Sequence, residues 1–158
     1  MNSEQLPDGS GETARYTHGH SAAVLSAHSR RGAADSAAYL LPHLRAGMDL
    51  LDVGCGPASI TADLAECINP GRVVALDAAS GALEAARATL RERGLSEQVE
   101  LACGDVMALP FEDASFDVVH AHQVLQHLAD PVGALAEMRR VTRPGGIVAV
   151  RDAVYSAM

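Results

Sequence analysis

The sequence predicts an α/β fold, a doubly wound parallel sheet, and three observations carry that prediction. Short apolar runs, "MDLLDV", "RVVALD", "VELACGD", "FDVVHA" and "GIVAVRD", are interspersed with the helical patterns "SITADLAECI", "SGALEAARATLRERG" and "DPVGALAEMRRV". Strands and helices of these lengths in alternation imply βαβ units and parallel neighbours. Hydrophobic residues make up 48% of the chain but aromatics only 3%, with no Trp. A core of Ala, Val, Leu and Ile suits strands buried on both faces and covered by helices. Finally, the first run leaves through Asp52, Gly54 and Gly56. Such a glycine turn lets backbone approach closely whatever lies at the strand end.

At 158 residues the chain is long enough for one domain with one real core. Residues 1–14 are polar, with Pro7, Gly9 and Gly11, and read as a flexible tail. Residues 15–45 read as N-terminal cap helices, "SAAVLSAHSRR" and "AADSAAYLLPHL". In the second, Ala37, Leu40, Leu41 and Leu44 recur at helical spacing, and Pro42 kinks or ends it. Residues 46–158 hold the five strands. Ser80 and Asp130 are predicted N-caps, and Gly94 a helix stop. Right-handed crossovers that reverse after the third strand give the strand order 3-2-1-4-5.

The net charge of −8 argues against a nucleic-acid partner, whose binding needs a basic face. The pairs Arg30-Arg31 and Arg139-Arg140 read as solvated helix faces. Cys55, Cys67 and Cys103 show no C-x-x-C spacing, and the N-terminus lacks an apolar signal-like stretch. No run approaches the roughly 18 apolar residues of a membrane span. The expectation is a soluble cytoplasmic chain with no membrane partner and no disulfide framework.

In open α/β sheets the ligand lies at the carboxyl ends of the strands. Strand 1 ends in Asp52-Val53-Gly54-Cys55-Gly56, and strand 2 ends at Asp77, about 20 residues on, where a carboxylate accepts ribose hydroxyls. Strand 3 ends in Gly104-Asp105, a second carboxylate suited to an exocyclic amine such as adenine N6. These acids select a nucleoside. The dinucleotide fingerprint G-x-G-x-x-G/A is not completed, because Ser59 occupies its last position, which disfavours a nicotinamide-dependent oxidoreductase. Asp52 suits an amino-acid-bearing nucleoside, since an acid is useful near its ammonium group.

In this order and spacing, "LLDVGCGPASIT", "VVALDAASGALEAAR", "GDVMALPFEDASFD" and "RPGG" resemble the class I S-adenosylmethionine-dependent methyltransferases. The likeness is to the small-molecule branch similar to ubiquinone/menaquinone C-methyltransferases, over about residues 46 to 152. The resemblance implies a Rossmann-like core, S-adenosyl-L-methionine as cofactor and a small-molecule acceptor. It implies that Gly54, Cys55 and Gly56 pass under the methionine part and ribose, with Asp52 nearby. It places Asp77 on the ribose hydroxyls, Ala78 against the adenine, Asp105 on adenine N6 and Val106 on the ring. His122 would present its backbone to the methionine ammonium, and Tyr16 would cover the methionine end.

No metal is expected, since His120 and His122 form H-x-H on one strand face without a third ligand at suitable spacing. His127 reads as a helix-face histidine or a general base beside the crevice. No catalytic residue is assigned, because the sulfonium is already an activated leaving group. Two departures from the family pattern stand out. Ala58 occupies the third motif glycine, and the chain stops at "RDAVYSAM". The family's following helix and strand 6/7 hairpin are therefore expected to be missing, leaving strand 5 as an edge that favours a homodimer. The alternative function is a catalytically idle cofactor-binding module.

Overall fold

The computed structural model describes residues 32–154. Five strands form one sheet: β1 (Leu50–Val53), β2 (Val73–Asp77), β3 (Val99–Cys103), β4 (Phe116–His122) and β5 (Thr142–Arg151). Their order is β3-β2-β1-β4-β5, and every neighbouring pair is parallel. The expected doubly wound order is therefore observed. All four residues of β1 are buried, as are Val73, Val74, Ala75 and Leu76 of β2, so the central strands read as continuous apolar runs.

Alternation along those strands divides the core into two layers. Leu50, Val73, Ala75, Val99, Val118 and Ala149 face helices α1 (Ala33–Ser36), α2 (Ser59–Ile68) and α3 (Ser80–Glu92). Ala62, Ala65 and Ala86 let those helices sit close to the sheet. On the other face, Leu51, Val53, Val74, Leu76, Val119 and Ala121 pack with Ala134, Met138 and Val141 of α4 (Pro131–Val141). The chain's two phenylalanines meet there, Phe111 edge-on to Phe116 with ring centroids 5.1 Å apart.

Several predicted details differ. The stretch 33–44 is not one helix. It forms α1, then a turn, then a 3-10 turn over Leu41–His43 that contains Pro42, where the pyrrolidine ring fits an N-terminal helical position. The Ala33 amide donates to Asp63 Oδ2 of α2 at 2.8 Å, so a neighbouring helix caps α1. The N-cap of α3 is Ala79 rather than Ser80, and no side chain caps it. Asp130 does cap α4, accepting from the Gly133 amide, and Gly94 follows α3 at φ +69°, as a helix stop requires. β5 begins at Thr142, earlier than predicted, because Thr142 pairs with Phe116 before the register shifts. The "RPGG" stretch takes up the shift. Arg143 there bridges Asp49 and Asp117 at 2.8 and 3.0 Å.

Arg140 is not a solvated helix-face residue. Its guanidinium donates to the Leu109 and Phe111 carbonyls and to Glu137 and Asp113, which ties the connection after β3 to α4. Arg139 is exposed. We expect Arg140→Met to lower the melting temperature and to speed amide exchange in residues 109–113, whereas Arg139→Met leaves both unchanged. Equal effects of the two substitutions in thermal unfolding would refute the anchoring role.

Candidate cofactor site

The carboxyl ends of β1, β2, β3 and β4 meet along one edge of the sheet, and backbone hydrogen bonds lace them together. The Gly54 and Cys55 amides both donate to the Leu76 carbonyl, at 2.7 and 3.0 Å. The Gly104 amide donates to the Asp77 carbonyl at 3.2 Å. Asp77 is the hub of this edge. Its Oδ2 accepts from the Gly56 amide at 3.0 Å, and its Oδ1 from the Ala79 amide at 2.9 Å. Each carboxylate oxygen has two lone pairs, so both retain capacity for hydroxyl donors. Ala78 beside it is exposed.

The two turn glycines have different physical reasons. Both adopt left-handed backbone, φ +68° at Gly54 and +53° at Gly56. A Cβ on Gly54 would lie 2.5 Å from Val124 Cγ2, so that space belongs to the segment following β4. A Cβ on Gly56 would meet nothing within 4 Å. Close approach by a ligand therefore applies to Gly56. Ala58, the departure noted above, sits fully buried at the N-cap of α2 with φ +64°, a conformation natural to glycine.

Asp52 lies beneath the turn. It is 3% exposed and turned inward, with Oδ2 accepting from Thr61 Oγ1 at 2.5 Å and Oδ1 lying 2.8 Å from His120 Nδ1. Its effect on the turn is through space. Cys55, nearly buried between the glycines, has its thiol pushed far up by burial and then by the charges of Asp52 and Asp77. The turn thus lies in a negative potential that favours a cationic ligand. Cys67 and Cys103 are exposed. We expect them to react with a thiol reagent at pH 8 while Cys55 stays neutral and protected. Three rapid equivalents in a colorimetric thiol assay would contradict this.

Asp105 is exposed and accepts from the Met107 amide at 2.9 Å, starting a 3-10 turn in which Val106 is buried. Gly104 is half-buried, pressed against Leu76. His122 closes β4 opposite Arg151, and the next residue, Gln123, takes φ +54° and donates its amide to the Arg151 carbonyl. That residue turns the chain so that Val124 lies where a Cβ on Gly54 would fall. His127 lies exposed in a 3-10 turn beside Gln126. Tyr16 lies outside the described residues. The contributions of Thr61, His120, Val124 and Gln123 were not foreseen. The pairing of Asp52 with His120 in adjacent strands reveals the histidine and requires the register, and Thr61 reaches Asp52 from α2.

A sheet of this order, with acids ending successive strands around an open glycine turn, defines a nucleoside-cofactor-binding α/β protein. The methyltransferase domain family matches residues 51–150, and the chain belongs to it. An uncharacterized methyltransferase of Schizosaccharomyces pombe is 36% identical over 143 residues, covering 87% of this chain and 51% of its own. The demethylmenaquinone methyltransferase of Lactococcus lactis is 42% identical over 103 residues, 65% of this chain and 40% of its own. The chain thus spans about half the length, or less, of these curated relatives. Among solved structures, the [4+2]-cyclase SpnF has TM-score 0.66 and 33% identity, covering 79% of this chain and 50% of that one. A SAM-dependent methyltransferase of Aquifex aeolicus has TM-score 0.66 and 26% identity, covering 73% and 62%.

The cofactor of this family is S-adenosylmethionine, and the described residues fit it: open space at Gly56, a negative potential at Cys55, and acids at the ends of β2 and β3. Among the described residues no helix is long and apolar enough to cross a membrane.

Proposed function

We propose that the protein transfers the methyl group of S-adenosylmethionine to a small-molecule acceptor in the cytoplasm. The observation that carries this reading is the Asp77 carboxylate, locked against Gly56 and Ala79 at the open side of the turn. When bound, the cofactor supplies a methyl group on a sulfonium leaving group. Asp77 would take the ribose hydroxyls, Ala78 and Val106 the adenine faces, and Asp105 the adenine amine. Gly54, Cys55, Gly56 and the His122 backbone would line the methionine end, with Tyr16 covering it. The expected tail, residues 1–14, and the part of the expected cap before residue 32 lie outside the described residues.

The chain's own work is alignment, since holding two reactants in line contributes about 7–11 kcal/mol without an acid or base. The fold does not by itself fix the reaction; a [4+2]-cyclase shares it. Incubation with radiolabelled cofactor and a panel of small acceptors tests the proposal. Label transfer to at least one acceptor supports it, and cofactor binding with no transfer to any acceptor counts against it. Self-association through the edge strand β5 is a further part of the reading. Sedimentation at several concentrations should show a dimer, and a strict monomer would exclude it.

A further inference from the structure

The buried polar side chains among the described residues are Ser36, Asp52, Thr61 and His120. Three of them form one chain beneath the glycine turn. Thr61 Oγ1 donates to Asp52 Oδ2, and His120 Nδ1 lies 2.8 Å from Asp52 Oδ1. A carboxylate only accepts, so Nδ1 carries the proton of that bond. His120 is fully buried, yet its Nε2 has no hydrogen-bond partner among the described residues. The bond from Nδ1 fixes the orientation of the ring against the Asp52 carboxylate.

The histidine satisfies Asp52 Oδ1 in the core and in return leaves one buried ring nitrogen without a partner among the described residues. What the histidine provides is a donor fixed to the sheet. His120 pairs in register with Asp52 across β4 and β1, and Thr61 holds the other oxygen from α2. The carboxylate is thereby anchored from both sides, two residues before Gly54, where its charge reaches the turn without touching a ligand.

We propose that His120 is a positioning residue for the amino-acid end of the cofactor, acting through Asp52. This rests on the reading that S-adenosylmethionine binds at the glycine turn. A buried carboxylate held under that turn attracts the ligand's ammonium, and a carboxylate released from His120 swings or takes up a proton and loses that attraction.

The test compares two ligands by calorimetry with the purified chain: S-adenosylhomocysteine, and 5'-methylthioadenosine, which lacks the amino acid. For His120→Leu we expect about tenfold or greater weakening for S-adenosylhomocysteine, the size of one charge-assisted hydrogen bond, and less than about twofold for methylthioadenosine. His120→Asn, which offers an N–H where Nδ1 stood, should restore binding to within about threefold. In an Asp52→Asn background, His120→Leu should change binding no further, since its route is already cut. If His120→Leu fails to fold, His120→Gln replaces it, being polar but without a donor at the Nδ1 position. Equal weakening for both ligands, or no weakening, would overturn the proposal, as would failure of asparagine to rescue. If the unsubstituted chain binds neither ligand, the cofactor reading falls and this one with it.

Discussion

Asp77→Ala is expected to weaken S-adenosylhomocysteine binding by about 1.5–3 kcal/mol, roughly 10- to 150-fold, the range for hydrogen bonds to a charged group. The substitution acts twice. It removes the acceptor proposed for the ribose hydroxyls, and it frees the Gly56 amide that Asp77 Oδ2 holds at 3.0 Å. The folded state loses less. Gly56 and Ala79 are only half-buried, so water takes over their amides, at a cost of about 1 kcal/mol. Titration calorimetry and thermal unfolding of the same preparation separate the two effects. Unchanged affinity would mean that Asp77 serves the turn alone, and a loss of stability as large as the loss of binding would mean that its role is structural.

The other large effect is a contrast between neighbouring glycines. Gly54→Ala carries two penalties: left-handed backbone at φ +68° and a Cβ 2.5 Å from Val124 Cγ2. Left-handed strain costs about 1–2 kcal/mol and overpacking about 1–3, so unfolding free energy should fall by about 2–5 kcal/mol. That is a large share of the ~5–15 kcal/mol that holds a domain folded. Gly56→Ala meets no neighbour within 4 Å, so only the backbone cost of about 1–2 kcal/mol applies. Its methyl, however, projects into the space assigned to the cofactor. We therefore expect Gly54→Ala to be chiefly unstable and Gly56→Ala to be chiefly deficient in binding, by denaturant unfolding and calorimetry. Val124→Ala should recover part of the stability lost in Gly54→Ala. Similar behaviour of the two glycine variants would show that the turn acts as one unit.

The strands were legible because parallel strands buried on both faces are nearly unbroken apolar runs, and "LLDV" and "VVALD" have few other uses. Asp77 was legible because its separation from the glycines is set by one helix and one strand. Other features depend on tertiary contacts. Gly54 answers to Val124, a residue far along the chain that nothing in "LLDVGCG" announces. Asp52 was expected near the methionine end of the ligand, and the histidine and threonine that turn it inward come from β4 and α2. Arg140 resembles any exposed arginine pair in the sequence, until the connection after β3 brings the Leu109 and Phe111 carbonyls to it. Local pattern located the strand ends, and the register between elements decided which way their side chains point.

Binding of the cofactor is the claim on which the other functional readings depend. Isothermal titration of the purified chain with S-adenosylhomocysteine, S-adenosylmethionine and NAD tests it most directly. The account predicts saturable binding of both S-adenosyl ligands with one site per chain, and much weaker or undetectable binding of NAD. NAD binding tighter than either S-adenosyl ligand would contradict it.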